Sequence, residues 1–131
     1  MERRIVNPWT WQDQFGYVQA NEISGMERVL VCAGQTSVDA DGQPLHDGDM
    51  GAQVGQALDN LETVLGEAGF ALADVVRLNY FVTDVDAFLE AGEIWGARLG
   101  QAGCRAAGTL LGVSRLAMPP LLVEIEATAA K

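Results

Sequence analysis

Two glutamates near the C-terminus are the residues best suited to acid/base chemistry. Glu124 and Glu126 lie in the run LVEIEA. A strand here would place Leu122 and both glutamates on one face, and Val123, Ile125 and Ala127 on the other. A carboxyl group on such a strand can exchange protons with a bound molecule. The other interpretation is that the two acids belong to a solvated face.

The sequence contains no recognisable metal-ligand motif. Cys32, Cys104 and the single histidine, His46, form no CxxC or HxxxH pattern. We expect two reduced, mostly buried thiols and a surface histidine. A nucleophile elbow, a P-loop and a GxGxxG sequence are also absent, so none of these motif-based sites is predicted.

Strands and helices must position these residues. Asn79 and Phe81 fall on the same side of a predicted strand, with Tyr80 on the other, and Asn79 is a buried polar candidate that needs a hydrogen-bond partner. The predicted strands are 17–24, 28–33, 75–83, 109–116 and 121–128. The short segment 25–27 favours a hairpin between the first two, and Pro119-Pro120 separates the last two.

Two helices are predicted between the strands. The first extends from about residue 50 to residue 68, with Asp47 or Asp49 as N-cap and Gly69 at its end. The second begins after Asp84 or Asp86 and continues to residue 99. Residues 34–49 form a loop around a tight turn at Asp41-Gly42.

Length and composition limit the class of protein. We expect 131 residues with 49% apolar side chains to form one domain, residues 1–131, with a real core. No apolar run is long enough to cross a bilayer and the N-terminus lacks the apolar region of a secretory signal, so a cytoplasmic location is expected. A formal charge of −10 without a basic cluster argues against nucleic-acid binding.

The order of elements predicts an α+β fold. The few helices should lie on one face of a mixed sheet, which leaves the opposite face to be covered. An open apolar sheet face points to self-association.

Several segments resemble the RidA/YjgF/UK114 (Rid) family, over residues 16 to 129. Each segment is short, but their order and spacing together are specific. The matching segments are GYVQA at 16–20, AGQ at 33–35, ALDNL at 57–61, AG at 68–69, DVV at 74–76, NYFVTD at 79–84 and VEIEA at 123–127.

The resemblance implies a chorismate-mutase-like fold: a six-stranded mixed sheet with two helices on one face, assembled as a homotrimeric barrel with ligand pockets between subunits. The best-known members hydrolyse imines and enamines to 2-keto acids and ammonia without a cofactor or a metal. The implied partners are therefore a small-molecule ligand and two further copies of the chain, with no nucleic acid and no membrane.

Within the family's imine deaminases, an arginine binds the substrate carboxylate, which suits its planar guanidinium. The matching motif here is Arg105-Ala106-Ala107-Gly108-Thr109, with Gly108 at the arginine position and Leu110 where a cysteine often follows. Either the arginine is lost, and Gly108 leaves empty volume for a less charged ligand, or Arg105 or Arg115 replaces it. We favour the first interpretation, which argues against a standard 2-iminobutanoate or 2-iminopropanoate deaminase.

The resemblance also assigns roles to the remaining residues. Glu124 matches the acid that orients water, which makes it the predicted catalytic residue. Tyr17 matches a pocket aromatic, whose hydroxyl can donate to a ligand. Ala33 lacks the hydroxyl of the family's serine, while Gly34 lets backbone approach a ligand closely. The full set predicted to bind substrate is Tyr17, Ala33, Gly34, Asn79, Phe81, Arg105, Gly108 and Thr109.

Three functions follow as hypotheses. The first is a cofactor-free hydrolase or deaminase acting on an imine, an enamine or a related carbon–nitrogen compound. The second is a non-catalytic small-molecule-binding or regulatory trimer. The third, an endoribonuclease or translation inhibitor, is disfavoured by the negative charge.

Overall fold

The computed structural model describes residues 1 to 131 and has an α+β fold, as predicted. The strands are β1 (Glu2–Val6), β2 (Ala20–Ser24), β3 (Val29–Val31), β4 (Gln35–Thr36), β5 (Val75–Val82), β6 (Leu110–Gly112) and β7 (Val123–Ala130). The helices are α1 (Met50–Glu67), α2 (Val85–Glu90) and α3 (Gly92–Gln101), with short 3-10 turns at Trp11–Phe15 and Leu72–Asp74.

The strands form two sheets rather than the six-stranded sheet that was expected. Five strands form one mixed sheet in the order β3-β7-β5-β6, with β4 also paired to β7. Only β5 and β6 run parallel. The remaining two, β1 and β2, pair separately from Glu2↔Ser24 to Val6↔Ala20.

The predicted hairpin between residues 17–24 and 28–33 is wrong. The N-terminal strand β1, which its charged sequence ERRIV did not reveal, takes β2 as its partner. The next strand, β3, pairs instead with the last strand, from Val29↔Ala130 to Val31↔Thr128. Long-range pairing has therefore displaced the local hairpin.

The first predicted helix is confirmed, and the second is divided. Asp49 caps α1 by accepting the Ala52 N–H at 3.0 Å. Asp84 caps α2 in the same way, but the helix breaks at Ala91 before α3 begins. Across this break, the Phe88 carbonyl accepts both the Ala91 N–H and the Trp95 indole N–H, each at 3.1 Å.

One face of the main sheet packs against all three helices. Val123 and Ile125 of β7 are fully buried there, in the same apolar core as Leu58 of α1 and Phe88 of α2. None of the helices combines the length and the hydropathy needed to cross a membrane.

The opposite face of the sheet remains open, as the sequence predicted. Glu124 lies on this face because its two neighbours in β7 point into the core. Three large apolar side chains are exposed on the same face: Val29 at 52%, Val31 at 77% and Leu111 at 48%. We call this surface the open face.

A buried glutamine ties α1 to the chain before β7. Gln53 is fully buried, and its amide nitrogen donates to the carbonyls of His46 (3.2 Å) and Pro120 (2.9 Å). Its amide oxygen accepts the Leu122 N–H at 2.8 Å. One side chain thus satisfies three backbone groups.

Replacing Gln53 with methionine should lower the free energy of unfolding by about 2 kcal/mol, because buried backbone groups lose their partners. Urea denaturation followed by circular dichroism measures the change. Gln101→Met is the matched control, since Gln101 is exposed and makes no side-chain hydrogen bond. Equal effects of the two substitutions would contradict the role assigned to Gln53.

Candidate functional site

The Glu124 side chain lies directly over the backbone of Gly34. Glu124 is paired across the sheet with Phe81 of β5 and Thr36 of β4. A Cβ atom at Gly34 would be 2.8 Å from Cγ and 2.7 Å from Cδ of Glu124, and closer still to Oε1. A side chain at position 34 would fit only if the Glu124 side chain moved away, so glycine lets the glutamate lie against the backbone.

Hydrogen bonding distinguishes the two glutamates. Asn79 Nδ2 donates to Glu126 Oε1 at 3.1 Å, which provides the partner that Asn79 was predicted to need. The carboxylate of Glu124 accepts no hydrogen bond within the chain, and its side chain is half-buried. Glu124 is therefore the acid whose oxygens remain available to a ligand or a water molecule. We call Gly34, Asn79, Phe81, Glu124 and Glu126 the glutamate group.

The parallel pairing of β5 with β6 is interrupted beside Gly108. Ala107 O accepts from Leu78 N (2.9 Å) and Thr109 O from Tyr80 N (2.8 Å). A regular ladder would then direct the Thr109 N–H to Leu78 O, but it donates to Asn79 Oδ1 at 3.1 Å. The side chain of Asn79 thus replaces a backbone acceptor.

The space into which a side chain at Gly108 would project is not empty, although the residue itself borders the cavity described below. A Cβ atom at this position would be 2.9 Å from the carbonyl carbon of Leu78 and closer still to its oxygen. The backbone of β5 fills the space into which a side chain would project, so an arginine could not be placed here without moving one of the two strands.

A cavity of about 430 Å³ lies between β5, β6, α3 and the segment before β2. It brings together three of the predicted residues: Tyr17, Gly108 and Thr109. No Asp, Glu, Lys, Arg or His is part of its lining. We call it the aromatic cavity, after its lining residues, which are Phe15, Gly16, Tyr17, Gln19, Leu78, Tyr80, Phe88, Leu89, Trp95, Gly96, Leu99, Gly100, Cys104, Ala106, Gly108, Thr109 and Leu110.

Three rings form its inner wall. Phe88 and Trp95 stack with centroids 5.1 Å apart and planes at 6°, and Tyr80 is tilted towards Phe88 with centroids at 5.2 Å. Burial, together with the neighbouring Cys104, raises the pKa of the Tyr80 hydroxyl far above its ordinary value. Burial also raises the pKa of the Cys104 thiol. Both groups are therefore neutral near pH 7.

Sequence reasoning did not assign this wall to the site. Phe88 and Trp95 fall within the second predicted helix with no role assigned to them, and Tyr80 is predicted on the opposite side of its strand from Asn79 and Phe81. No local signal in the sequence separates these three rings from ordinary core residues, because the cavity depends on how β5, α2 and α3 pack together.

The arginines that could have replaced the missing one lie elsewhere. Arg105 is exposed, and its carbonyl accepts from Asn21 Nδ2 at 3.0 Å. Arg115 donates to the carbonyls of Leu116 (3.2 Å) and Ala117 (3.4 Å) in its own loop. Neither residue lines the aromatic cavity.

Within one chain the candidate residues therefore form two groups. Tyr17, Gly108 and Thr109 line the aromatic cavity, whereas the glutamate group lies on the other side of β5 and β7. Ala33 adjoins the glutamate group, with its carbonyl bonded to Gln35 Nε2 at 3.1 Å. No cluster of three or more His, Cys, Asp or Glu side chains could hold a metal ion.

Comparison with known proteins gives consistent matches. Residues 12–131 match the family model described as Endoribonuclease L-PSP. A RutC family protein of Pyrococcus horikoshii is 32% identical over 102 residues, which is 78% of this chain and 79% of that protein.

Solved structures agree with the sequence matches. YyfB of Yersinia pestis, described as a protein of unknown function of the conserved Rid protein family, is 40% identical, with a TM-score of 0.89 over 100% of both chains. The YjgF gene product of E. coli is 28% identical, with a TM-score of 0.71 over 88% of this chain and 87% of that chain. Sequence and fold therefore lead to the same group of proteins.

Proposed function

We propose, since this chain belongs to the Rid/YjgF family, that it is a cofactor-free hydrolase or deaminase acting at a carbon–nitrogen double bond. The substrate would be an imine, an enamine or a related compound held in a cleft between subunits of a homotrimer. The observation that carries the proposal is the carboxylate of Glu124, which is held against Gly34 without a hydrogen-bond partner in the chain.

The trimer is supported by the open face. Val29, Val31 and Leu111 are exposed on it, and covering them with neighbouring subunits would remove apolar surface from water. An interface between subunits would also bring the two separate groups of candidate residues together, because the glutamate group of one chain could then face the aromatic cavity of the next.

Glu124 would act as the general base. Its carboxylate accepts a proton from water as the water oxygen forms a bond to the imine carbon, and the C=N bond becomes a single bond in a carbinolamine. That proton passes to the nitrogen and completes the carbinolamine. The hydroxyl proton then moves through the same carboxylate to the amino group, the C–N bond breaks, and ammonia leaves as the carbonyl forms. Water is consumed and no electrons are exchanged, so the step needs no cofactor.

The substrate should be uncharged where it meets the cavity. Residue 108 carries no guanidinium, and the cavity lining contains no cationic side chain. A carboxylate placed there would lose its hydration without gaining an ion pair.

We expect the protein to hydrolyse a neutral ketimine such as acetophenone imine about tenfold or more faster, in kcat/KM, than 2-iminopropanoate. Ammonia release above the spontaneous rate, measured with a coupled dehydrogenase, gives both values. Arg105→Ala, with Arg4→Ala as a matched exposed control, tests whether Arg105 replaces the missing guanidinium. Release from 2-iminopropanoate at the rate of an arginine-bearing deaminase would contradict the substrate assignment.

The second candidate function is a non-catalytic small-molecule binder on the same scaffold. The apolar lining of the aromatic cavity favours it, because that cavity can hold a ligand without a reacting group of its own. Binding and catalysis are separated by changing Glu124.

A ribonuclease activity, which the description of the matched family model names, has less physical support here. The chain carries a formal charge of −10, with 8 basic residues against 18 acidic ones. Such a charge repels a phosphate backbone.

A further inference from the structure

We propose that the aromatic cavity binds the ring of a neutral, planar aromatic compound, that the Tyr80 hydroxyl donates a hydrogen bond to it, and that Gly96 keeps the space for the ring open. The inference rests on the proposed small-molecule site and specifies its substrate class. The acceptor on the ligand would be a carbonyl oxygen or an imine nitrogen attached to the ring.

The chemistry of the walls selects for an apolar ligand. The volume of about 430 Å³ falls in the lower part of the range of roughly 300–1,000 Å³ found for small-molecule pockets. The lining residues are mainly apolar or aromatic and none is charged. A single ring with a short substituent fits this volume without leaving a charge unpaired.

The arrangement of the rings favours a flat ligand. Phe88 and Trp95 are nearly parallel at 6°, whereas Tyr80 is inclined by 47° to Phe88 and by 42° to Trp95. A guest ring can therefore stack on one wall while meeting another by its edge, and both contacts are favourable for aromatic pairs.

The Tyr80 hydroxyl is the polar group best placed to orient such a ligand. It has no hydrogen-bond partner within the chain, although the side chain is largely buried and lines the cavity. The hydroxyl oxygen is not among the buried atoms left without a partner, so a ligand that enters the cavity can reach it. Because burial keeps this phenol protonated, it can donate a hydrogen bond. A carbonyl oxygen or an imine nitrogen on the ligand would accept that bond.

Gly96 controls the space on the α3 side. It is half-buried on the cavity edge, and a Cβ atom built there would meet no heavy atom within 4 Å. A larger side chain can therefore occupy that opening without displacing backbone. Alanine or leucine would also suit the helix better than glycine, so retention of the fold is expected.

The test measures binding of acetophenone and of benzoate to the assembled wild-type protein by isothermal titration calorimetry. We expect acetophenone to bind about tenfold or more tightly than benzoate, which has the same ring and a charge. Gly96→Leu should weaken acetophenone binding about tenfold or more. Gly66→Leu, at an exposed glycine of α1 with equally free surroundings, should not.

Tyr80→Phe supplies a second measurement. It should weaken binding of acetophenone and leave ethylbenzene, which has no acceptor, unaffected. Equal or tighter binding of benzoate, or equal affinities of the Gly96→Leu and Gly66→Leu variants, would overturn the inference.

The outcomes also separate this inference from the proposed function. A protein that binds acetophenone as expected but hydrolyses no imine overturns the function and leaves the cavity assignment standing. A protein that hydrolyses acetophenone imine equally well with leucine at position 96 overturns the cavity assignment and leaves the function standing.

Discussion

Glu124→Gln should lower kcat/KM for hydrolysis of a neutral ketimine by about 10²- to 10⁴-fold, the usual contribution of a general base. Glutamine keeps the shape of the side chain, so its packing over Gly34 and the fold should survive. It cannot accept a proton from water at neutral pH, and that is the step assigned to the carboxylate. Ammonia release in single-turnover and steady-state assays measures the loss.

Glu126→Gln is the matched control for this substitution. The two glutamates share a strand face, but Glu126 already accepts a hydrogen bond from Asn79, and a carboxamide oxygen can accept the same bond. Its effect on hydrolysis should be small. If both substitutions reduced activity equally, the assignment of the base to Glu124 would be wrong. If the wild type hydrolysed no imine and neither glutamine variant changed ligand binding, the chain would be a non-catalytic small-molecule-binding protein.

The orientation of Glu124 could be predicted because it depends on local alternation. Val123 and Ile125 are both fully buried, so a period of two residues is enough to place the glutamate on the opposite face. The first helix was predictable for the same reason, since its apolar stripe and its capping aspartate are close in sequence.

Other features depend on contacts between distant segments and left no local pattern. The charged strand β1 is defined only by its pairing with β2. The break between α2 and α3 coincides with a bond from Trp95 to Phe88, which a helical pattern hides. The separation of Tyr17 from Glu124 within one chain depends on the order of strands in the sheet, which the resemblance supplied only as an expectation.

Gly108 illustrates the limit of reasoning from a residue type alone. A glycine suggested empty space because it lacks a side chain, but Leu78 O lies where the Cβ would be. The same crowding coincides with the redirected Thr109 N–H, which is bonded to Asn79 instead of to β5 backbone. Glycine at 108 is therefore a requirement of this strand packing as well as a departure from the deaminase motif.

Replacing Gly108 with alanine should lower the free energy of unfolding by about 4 kcal/mol, near the upper end for single substitutions, because a fixed backbone carbonyl cannot yield as a side chain does. Urea denaturation of the purified variant measures it. Gly96→Ala is the control, because its Cβ would meet nothing within 4 Å and alanine in a helix gains about 0.5–1 kcal/mol over glycine.

The same logic predicts that Gly108→Arg will not restore 2-iminopropanoate deamination. The arginine would have to displace β5 or β6 before its guanidinium could reach the cavity, and the loss of the Asn79 bond to Thr109 would follow. We expect a strongly destabilised protein with no gain in ammonia release. A stable Gly108→Ala variant together with an active Gly108→Arg variant would contradict this prediction, because the strands would then relax easily. The absence of the arginine, rather than the packing around residue 108, would then decide which substrates this chain accepts.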